Sequence, residues 1–100
     1  FVDNIINEDT IYPTGAITNP ISGETVTDTV LFSVSAQDNI SISEVQFLIN
    51  DEIINSTNNE PYEYPWDTSP FSGTDCTLSA IIIDNSNNTT YLQPIMVSVE

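Results

Sequence analysis

The stretch that decides the fold is TVLFSVSAQ, residues 29–37. Val30, Phe32, Val34 and Ala36 share one face of this stretch, and the opposite face is mostly polar. Successive side chains of a β-strand point to opposite sides of a sheet, whereas a helical face repeats every 3.6 residues. The pattern therefore predicts a strand with one buried face.

Similar short segments recur along the chain, separated by Pro, Gly, Asn and Asp. They predict an all-β, two-sheet sandwich of about seven strands over residues 16–100. Pro61 and Pro65 place the segment 62–68 at a sheet edge, because proline cannot donate to a β-ladder. The inward-facing residues predicted for three other strands are Val45, Phe47 and Ile49, then Leu78, Ala80 and Ile82, and finally Ile95, Val97 and Val99.

Residues 1–15 differ from the rest, because they mix apolar and acidic residues and end in Pro-Thr-Gly. We predict an extended N-terminal arm or inter-domain linker there. Its apolar residues are too numerous for a freely solvated tail, so a partner surface is expected to cover them. They are Phe1, Val2, Ile5, Ile6, Ile11 and Tyr12.

The chain carries 15 carboxylates and no Lys, Arg or His, for a formal net charge of −15. Phosphate binding depends on Lys and Arg, so the composition excludes nucleic-acid binding and docking on anionic lipid. No apolar run approaches the roughly 20 residues that span a bilayer, so membrane insertion is not expected. Catalysis is not expected either, because Ser or Cys nucleophiles need a base such as His and phosphoryl transfer needs cationic groups.

Cys76 is the only cysteine, so neither an internal disulfide nor a cysteine-based zinc site can form. A lone cysteine is most simply a small buried hydrophobic residue. Intermolecular pairing is the alternative.

Three segments give the chain a family likeness. The first is ISGETV at 21–26, followed by a strand that ends in SAQDN at 35–39. The second is ISEVQFLIND at 42–51. The third is PYEYPWDT at 61–68, which is continued by TLSA at 77–80 and DNSNN at 84–88. On these residues, 16–99 resemble the bacterial immunoglobulin-like domains that are strung in tandem along surface adhesins and secreted proteins. The chain departs from the family at two turns, where Ser41 or Ile42 and Asn87-Asn88 replace the usual glycines.

The resemblance implies an immunoglobulin-like sandwich at the cell surface or outside the cell, with a structural or binding role and no active site. It implies no particular ligand and no required cofactor. The arm before Ala16 lies outside the resemblance.

Oxygen-bearing side chains in two loops suit calcium, which binds carboxylates and amide carbonyls. The loops after Gln37 and after Ile83 are expected at one pole of the sandwich, where the first strand also begins. We predict a possible calcium site there, joined by Glu8 or Asp9 of the arm. Its residues are Asp38, Asn39, Asp84 and Asn88. The alternative is that Asp and Asn serve as turn formers.

Four sequons fit N-x-[ST] and lie in predicted loops or at strand ends, where glycans could be attached. They begin at Asn39, Asn55, Asn87 and Asn88. Chance matches are expected in so polar a chain, and the intact mass of the secreted protein tests the prediction.

Strand alternation places several apolar residues on the solvent side of one sheet, which would form a contact surface. They are Leu48, Ile81, Ile83, Leu92 and Met96. A β-bulge that turns some of them inward is the alternative. A neighbouring copy's arm could cover this face, which would build a filament or stalk head-to-tail from copies of the chain or adjacent homologous domains.

A second hypothesis is a carbohydrate- or surface-binding adhesin module appended to a larger secreted protein. In it, Tyr62, Tyr64 and Trp66 would form an aromatic platform for glycans, although alternation favours a core position for Trp66.

Overall fold

The computed structural model describes residues 11–38 and 41–100, and in these two ranges it contains nine strands and one short 3₁₀ turn, Ser69–Phe71. The strands are β1 (Thr14–Asn19), β2 (Thr25–Val26), β3 (Thr29–Gln37), β4 (Ile42–Ile49), β5 (Glu52–Thr57), β6 (Tyr62–Asp67), β7 (Asp75–Asp84), β8 (Thr89–Tyr91) and β9 (Ile95–Val99). No helix in the described ranges is long and apolar enough to cross a membrane.

The strands form two sheets. One has the order β1-β3-β6, and the other has the order β2-β9-β7-β4-β5, with β8 also paired to β7. The pairs are antiparallel except for β2 and β9, which are parallel. The predicted all-β, two-sheet sandwich is therefore confirmed. The prediction that 62–68 forms a sheet edge is also confirmed, because β6 is the outer strand of its sheet.

The core lies between the sheets and includes the residues that alternation predicted. Phe32, Val45, Phe47, Leu78 and Ile82 are all completely buried. The Phe32 and Phe47 rings join the two sheets in an edge-on contact, with centroids 5.0 Å apart. The remaining predicted residues are buried or pack against this cluster, namely Val30, Val34, Ala36, Ile49, Ala80, Ile95, Val97 and Val99.

Cys76 is a completely buried free thiol within this core. Its Sγ lies 3.9 Å from the side-chain amide of Asn50 and 4.0 Å from the Thr74 hydroxyl. The structure therefore agrees with a small buried hydrophobic residue and gives the thiol no path to a partner in the folded domain.

The strands differ from the sequence prediction most at the two ends of the domain and at β2. The first strand begins at Thr14 rather than Ala16, because Thr14 pairs with Gln37 and Gly15 with Ala36. The two-residue β2 was not predicted, since its partner lies more than 70 residues away in sequence and two residues show no periodicity. The segment 91–99, whose alternation predicts one closing strand, is divided between β8 and β9.

The β4–β5 hairpin closes through a two-residue turn. Ile49 pairs with Glu52, and the intervening Asn50 and Asp51 have φ of 52° and 69°. Positive φ at both central residues is the type I′ geometry that matches the twist of paired strands, and Asn and Asp tolerate it better than most residues. The Asn50 side chain also accepts a hydrogen bond from the Thr77 backbone N–H at 2.9 Å, which fixes the hairpin against β7.

Candidate interaction surfaces

Three segments meet at one end of the sandwich, here called the arm pole, which consists of residues 11–13, 38, 41 and 84–90 among those described. The Thr90 hydroxyl donates to the Pro13 carbonyl at 2.7 Å. Ile42 pairs with Asp84, so the loops that flank these residues are neighbours. The Asn85 side-chain amide donates to the Ser41 hydroxyl. The predicted convergence of these two loops with the start of the first strand is confirmed.

Asp84 is a buried carboxylate at the arm pole. Its Oδ1 accepts hydrogen bonds from the backbone N–H groups of Ser86 at 2.8 Å and Asn88 at 2.9 Å. Its Oδ2 accepts a third, at 2.9 Å, from the side-chain amide of Asn88. Three donors compensate the loss of water around the charge and hold residues 85–88 in a tight turn, in which Asn87 has a positive φ of 67°.

These contacts bear on the predicted calcium site. Asp84 and Asn88 form a turn, as the alternative interpretation expected, and Asp38 accepts a hydrogen bond from the Ser41 N–H at 3.3 Å. Asn39, Glu8 and Asp9 lie outside the described residues. Among the residues that are described, no three His, Cys, Asp or Glu side chains form a group that could hold a metal ion.

Calcium binding at the arm pole stays a prediction, and calorimetric titration tests it. The prediction requires a heat of binding and a raised melting temperature, both of which Asp38→Asn should reduce because calcium prefers carboxylate oxygens. The matched control is Asp51→Asn, which removes one carboxylate from an exposed hairpin turn. A titration with neither heat nor a melting shift would end the calcium interpretation.

The predicted sequons differ in accessibility. Asn55 lies on the edge strand β5 and Asn87 in the turn after β7, and both are exposed. The side-chain nitrogen of Asn88 is occupied, because it donates to Asp84 and, at 3.5 Å, to the Ile11 carbonyl. Asn39 lies outside the described residues. Glycosylation therefore stays a prediction, with Asn55 and Asn87 the better placed acceptors.

The outer face of the larger sheet is apolar over part of its area. Leu48, Ile81 and Ile83 are half-buried there by their neighbours on the face, and Met96 is 54% exposed. Cross-strand pairing brings Leu48 beside Ile53, which is also 54% exposed. We call this surface the outer apolar face, and its members are Leu48, Ile53, Ile81, Ile83, Tyr91 and Met96.

The prediction that Leu92 belongs to this face is wrong, because Leu92 is only 7% exposed and packs in the core. Ile81 pairs with Tyr91, and Leu78 pairs with Ile95. These partners are three positions apart on β7 but four positions apart between β8 and β9, so the second segment contains one extra residue. The extra residue reverses the side-chain parity, which turns Leu92 inward and leaves Tyr91 75% exposed. Sequence reasoning missed Tyr91 for this reason, although Pro94 within the strand pattern was a signal of a bulge.

The opposite end of the sandwich, here called the exit pole, carries the last residue of the chain. Glu100 donates its N–H to the Val26 carbonyl at 2.9 Å, and its carbonyl accepts from the Ser72 hydroxyl at 3.0 Å. Nearby, Ser69 donates from both its N–H and its hydroxyl to Asp67, which lowers the pKa of that carboxyl. The polypeptide thus enters the sandwich at the arm pole and leaves it at the exit pole.

The fold and its two poles can be compared with known proteins. The family model for the bacterial Ig domain matches residues 13–92 of the chain. The chain belongs to the bacterial Ig domain family. The predicted family is thereby confirmed over four-fifths of the sequence, and the match ends at Leu92, before β9 begins.

Two solved structures resemble this bacterial Ig domain over part of their own length. The fibronectin(III)-like modules of Clostridium thermocellum CbhA are 27% identical to it, with a TM-score of 0.70 and coverage of 89% of this chain and 46% of theirs. The endo-beta-1,4-mannanase from Thermotoga petrophila is 17% identical, with a TM-score of 0.71 and coverage of 94% and 21%. The chain therefore spans about half the length of the first and a fifth of the second. A comparison with curated protein sequences gave no match.

The predicted aromatic platform is not present on the surface of this bacterial Ig domain. Trp66 and Tyr62 are buried, with 2% and 8% of their surface exposed, and Tyr64 is half-buried against Phe47 with ring centroids 6.1 Å apart. The alternation of β6 turns all three rings toward the core, because they stand two residues apart. Glycan stacking on these rings would require the sandwich to open.

Proposed function

We propose that this bacterial Ig domain is a non-catalytic structural repeat or subunit of an extracellular filament or cell-surface stalk. The observation that carries the proposal is the placement of the arm pole and the exit pole at opposite ends of the sandwich. A module with this geometry extends a tandem array by its own length, because each neighbour continues where the last one ends. A module whose ends lay side by side would fold the array back on itself.

The charge of the chain limits how identical modules can join. The chain has no basic residue, so side-chain ion pairs between identical modules are impossible, and their net charges of −15 repel one another. Cohesion must come from apolar burial, strand pairing, bound cations or glycans. The outer apolar face offers three large exposed side chains, Ile53, Tyr91 and Met96, and the apolar residues Phe1, Val2, Ile5 and Ile6 precede the arm pole in sequence. We propose that the apolar residues Phe1, Val2, Ile5 and Ile6 of one module cover the outer apolar face of the next module.

Removing residues 1–10 tests this joining. Residues 11–13 are kept, because Thr90 and Asn88 bond to their carbonyls and the shortened chain should fold. We expect the full chain to form oligomers or filaments by light scattering and electron microscopy, and the shortened chain to be monomeric, because the apolar contact is lost. The matched control is Asn4→Ser with Asn7→Ser, which alters the same segment and keeps its apolar residues.

A second pair of variants tests the contribution of the outer apolar face to assembly and leaves the N-terminal arm unchanged. Tyr91→Ser with Met96→Ser should abolish assembly as the deletion does, whereas Leu31→Ser should not, because Leu31 is 44% exposed on the other sheet. Filaments that survive the deletion, or that respond equally to Leu31→Ser, would contradict this mode of joining.

The second candidate function is a spacer appended to a larger secreted protein. It is supported by the likeness to the fibronectin(III)-like modules of CbhA, of which this chain covers 46%. In that case the isolated domain should remain monomeric with or without residues 1–10, and the same light-scattering experiment distinguishes the two candidates.

A further inference from the structure

The smaller sheet contains a gap, because β6 is shorter than β3. β1 pairs with β3 as far as Gln37, but the last pair between β3 and β6 joins Val34 to Tyr62. The register would continue by placing Glu60 opposite Ala36. The chain turns away before that point at Pro61, which has no N–H to donate. Among residues 11–38 and 41–100, residues 35–37 of β3 therefore have a strand neighbour on one side only.

The direction of the backbone groups in the gap follows from side-chain contacts. Side chains of β1 donate to the carbonyls of Leu31 and Ser33, so the odd-numbered residues of β3 direct their N–H and C=O groups toward β1. The even-numbered residues direct theirs toward β6. Pro65 agrees with this assignment, because it pairs with Leu31, where β6 needs no donor. The N–H and C=O of Ala36 therefore face the gap.

The gap is the floor of a groove. A depression of about 300 Å³ is lined by residues 34–37 and 60–63, and a second of about 390 Å³ extends it past Asp38, Ser41 and Ile42. The two depressions share Ala36, Gln37, Glu60 and Tyr62, so they form one continuous groove. An extended segment of a few residues matches this shape better than a compact ligand does.

Tyr62 supplies a polar group to the groove. Its ring is largely buried, whereas its hydroxyl is not among the buried unpaired polar atoms of residues 11–38 and 41–100, and the side chain lines the groove. Burial, and then the negative charge of Glu60, raise the pKa of this phenol, so it stays protonated at neutral pH and can still donate. The hydroxyl can therefore donate to a backbone carbonyl of a segment that lies in the groove.

The charge of the groove selects its ligand. Glu60 and Glu63 line the first depression, and Asp38 lies in the second. The chain itself has no cation to place against them, and a second copy brings another net charge of −15. The complementary partner is therefore a different molecule that carries positive charge.

We propose that this groove binds an extended, cationic peptide segment of another protein, which adds to β3 as a short strand opposite Ala36 and directs a Lys or Arg side chain to Glu60. Strand addition supplies the backbone hydrogen bonds, and the carboxylates supply specificity. This interaction is independent of how modules join end to end, because it uses the free side of β3 rather than the outer apolar face.

The test uses the full chain, labelled with ¹⁵N, and the probe peptide acetyl-Thr-Lys-Val-Lys-Val-Thr-amide at 150 mM NaCl. We expect saturable amide shifts at Ala36 and Gln37. Glu60→Gln with Glu63→Gln should weaken binding about tenfold or more, because a hydrogen-bonded charge pair is lost. The matched control, Glu52→Gln with Asp51→Asn, removes two carboxylates from the far hairpin and should leave the affinity unchanged.

Two further measurements distinguish backbone hydrogen bonding to β3 from electrostatic attraction alone. The same peptide N-methylated at its central residues keeps its charges but loses its backbone donors, and we expect it not to bind. Equal binding of the methylated peptide, equal weakening by the control variant, or no shift at Ala36 with the original peptide would each overturn the proposal. Displacement by calcium chloride beyond that caused by sodium chloride of equal ionic strength would also overturn it, because it would identify the groove as a cation site.

Discussion

Replacing Gly15 by alanine should lower the free energy of unfolding by about 3 kcal/mol, the upper part of the range for overpacked sites. A Cβ at this position would overlap the Ser35 carbonyl oxygen and lie 2.7 Å from Cδ1 of Ile82. The Ser35 oxygen belongs to the paired backbone of β3, so it cannot move without opening the β1–β3 ladder. Urea unfolding followed by Trp66 fluorescence measures the change.

Gly23→Ala is the matched control for this variant. In the described part of the chain, no atom beyond its two sequence neighbours lies within 4 Å of a Cβ built on Gly23, but its φ of +91° is unfavourable for an L-residue and should cost about 1 kcal/mol. If Gly15→Ala lowers the free energy of unfolding no more than Gly23→Ala does, β1 does not approach β3 as closely as described.

Replacing Trp66 by alanine should cost about 3–5 kcal/mol, because a large buried ring leaves a cavity that the sandwich cannot fill. Trp66 is 2% exposed, and its ring packs against Phe71 with centroids 5.8 Å apart. A domain of this size is stable by about 5–15 kcal/mol, so the variant should be close to unfolding at 25 °C. Circular dichroism during thermal unfolding measures the loss, since the substitution removes the only tryptophan.

Trp66→Phe keeps an aromatic ring in the core but removes the indole N–H, so it measures the contribution of the N–H to stability. The indole Nε1 is buried and has no hydrogen-bond partner in the described part of the chain, so removing its N–H should cost little beyond the lost volume, or about 1 kcal/mol. An equal loss for Trp66→Phe and Trp66→Ala would mean that the N–H makes a bond essential to the fold. Tyr91→Ala, on the exposed face, should change stability by less than about 0.5 kcal/mol.

Side-chain alternation was enough to predict the sandwich and its core. In β3, β4 and β7, apolar residues two apart identified the buried face correctly, because the period of a strand is a local property that only burial of one face imposes. Proline placement identified β6 as an edge for an equally local reason, the missing N–H at Pro65.

Features that depend on distant segments could not be predicted in the same way. The parity change at residues 92–94 arises where the last strand must pair with β7 in two registers, and it reversed the positions of Tyr91 and Leu92. The closeness of Gly15 to Ser35 depends on β1–β3 packing, so its sequence position beside Pro13 and Thr14 suggested only a linker. Asp84 was predicted from residue type alone, whereas its orientation follows from the N–H groups of the turn after it.

The opposite placement of the two poles also determines how the domain carries a pulling force. Tension applied at residue 11 and at Glu100 runs along the strands, and at the exit pole it acts on the parallel contact between the β2 and β9 segments. Besides the β2–β9 ladder itself, three backbone bonds hold that contact, from Gly23 to Met96, from Ser98 to Glu24 and from Glu100 to Val26, at 2.8 to 3.0 Å. Because the force is parallel to the strands and perpendicular to these bonds, it loads all three together in shear instead of opening them one after another.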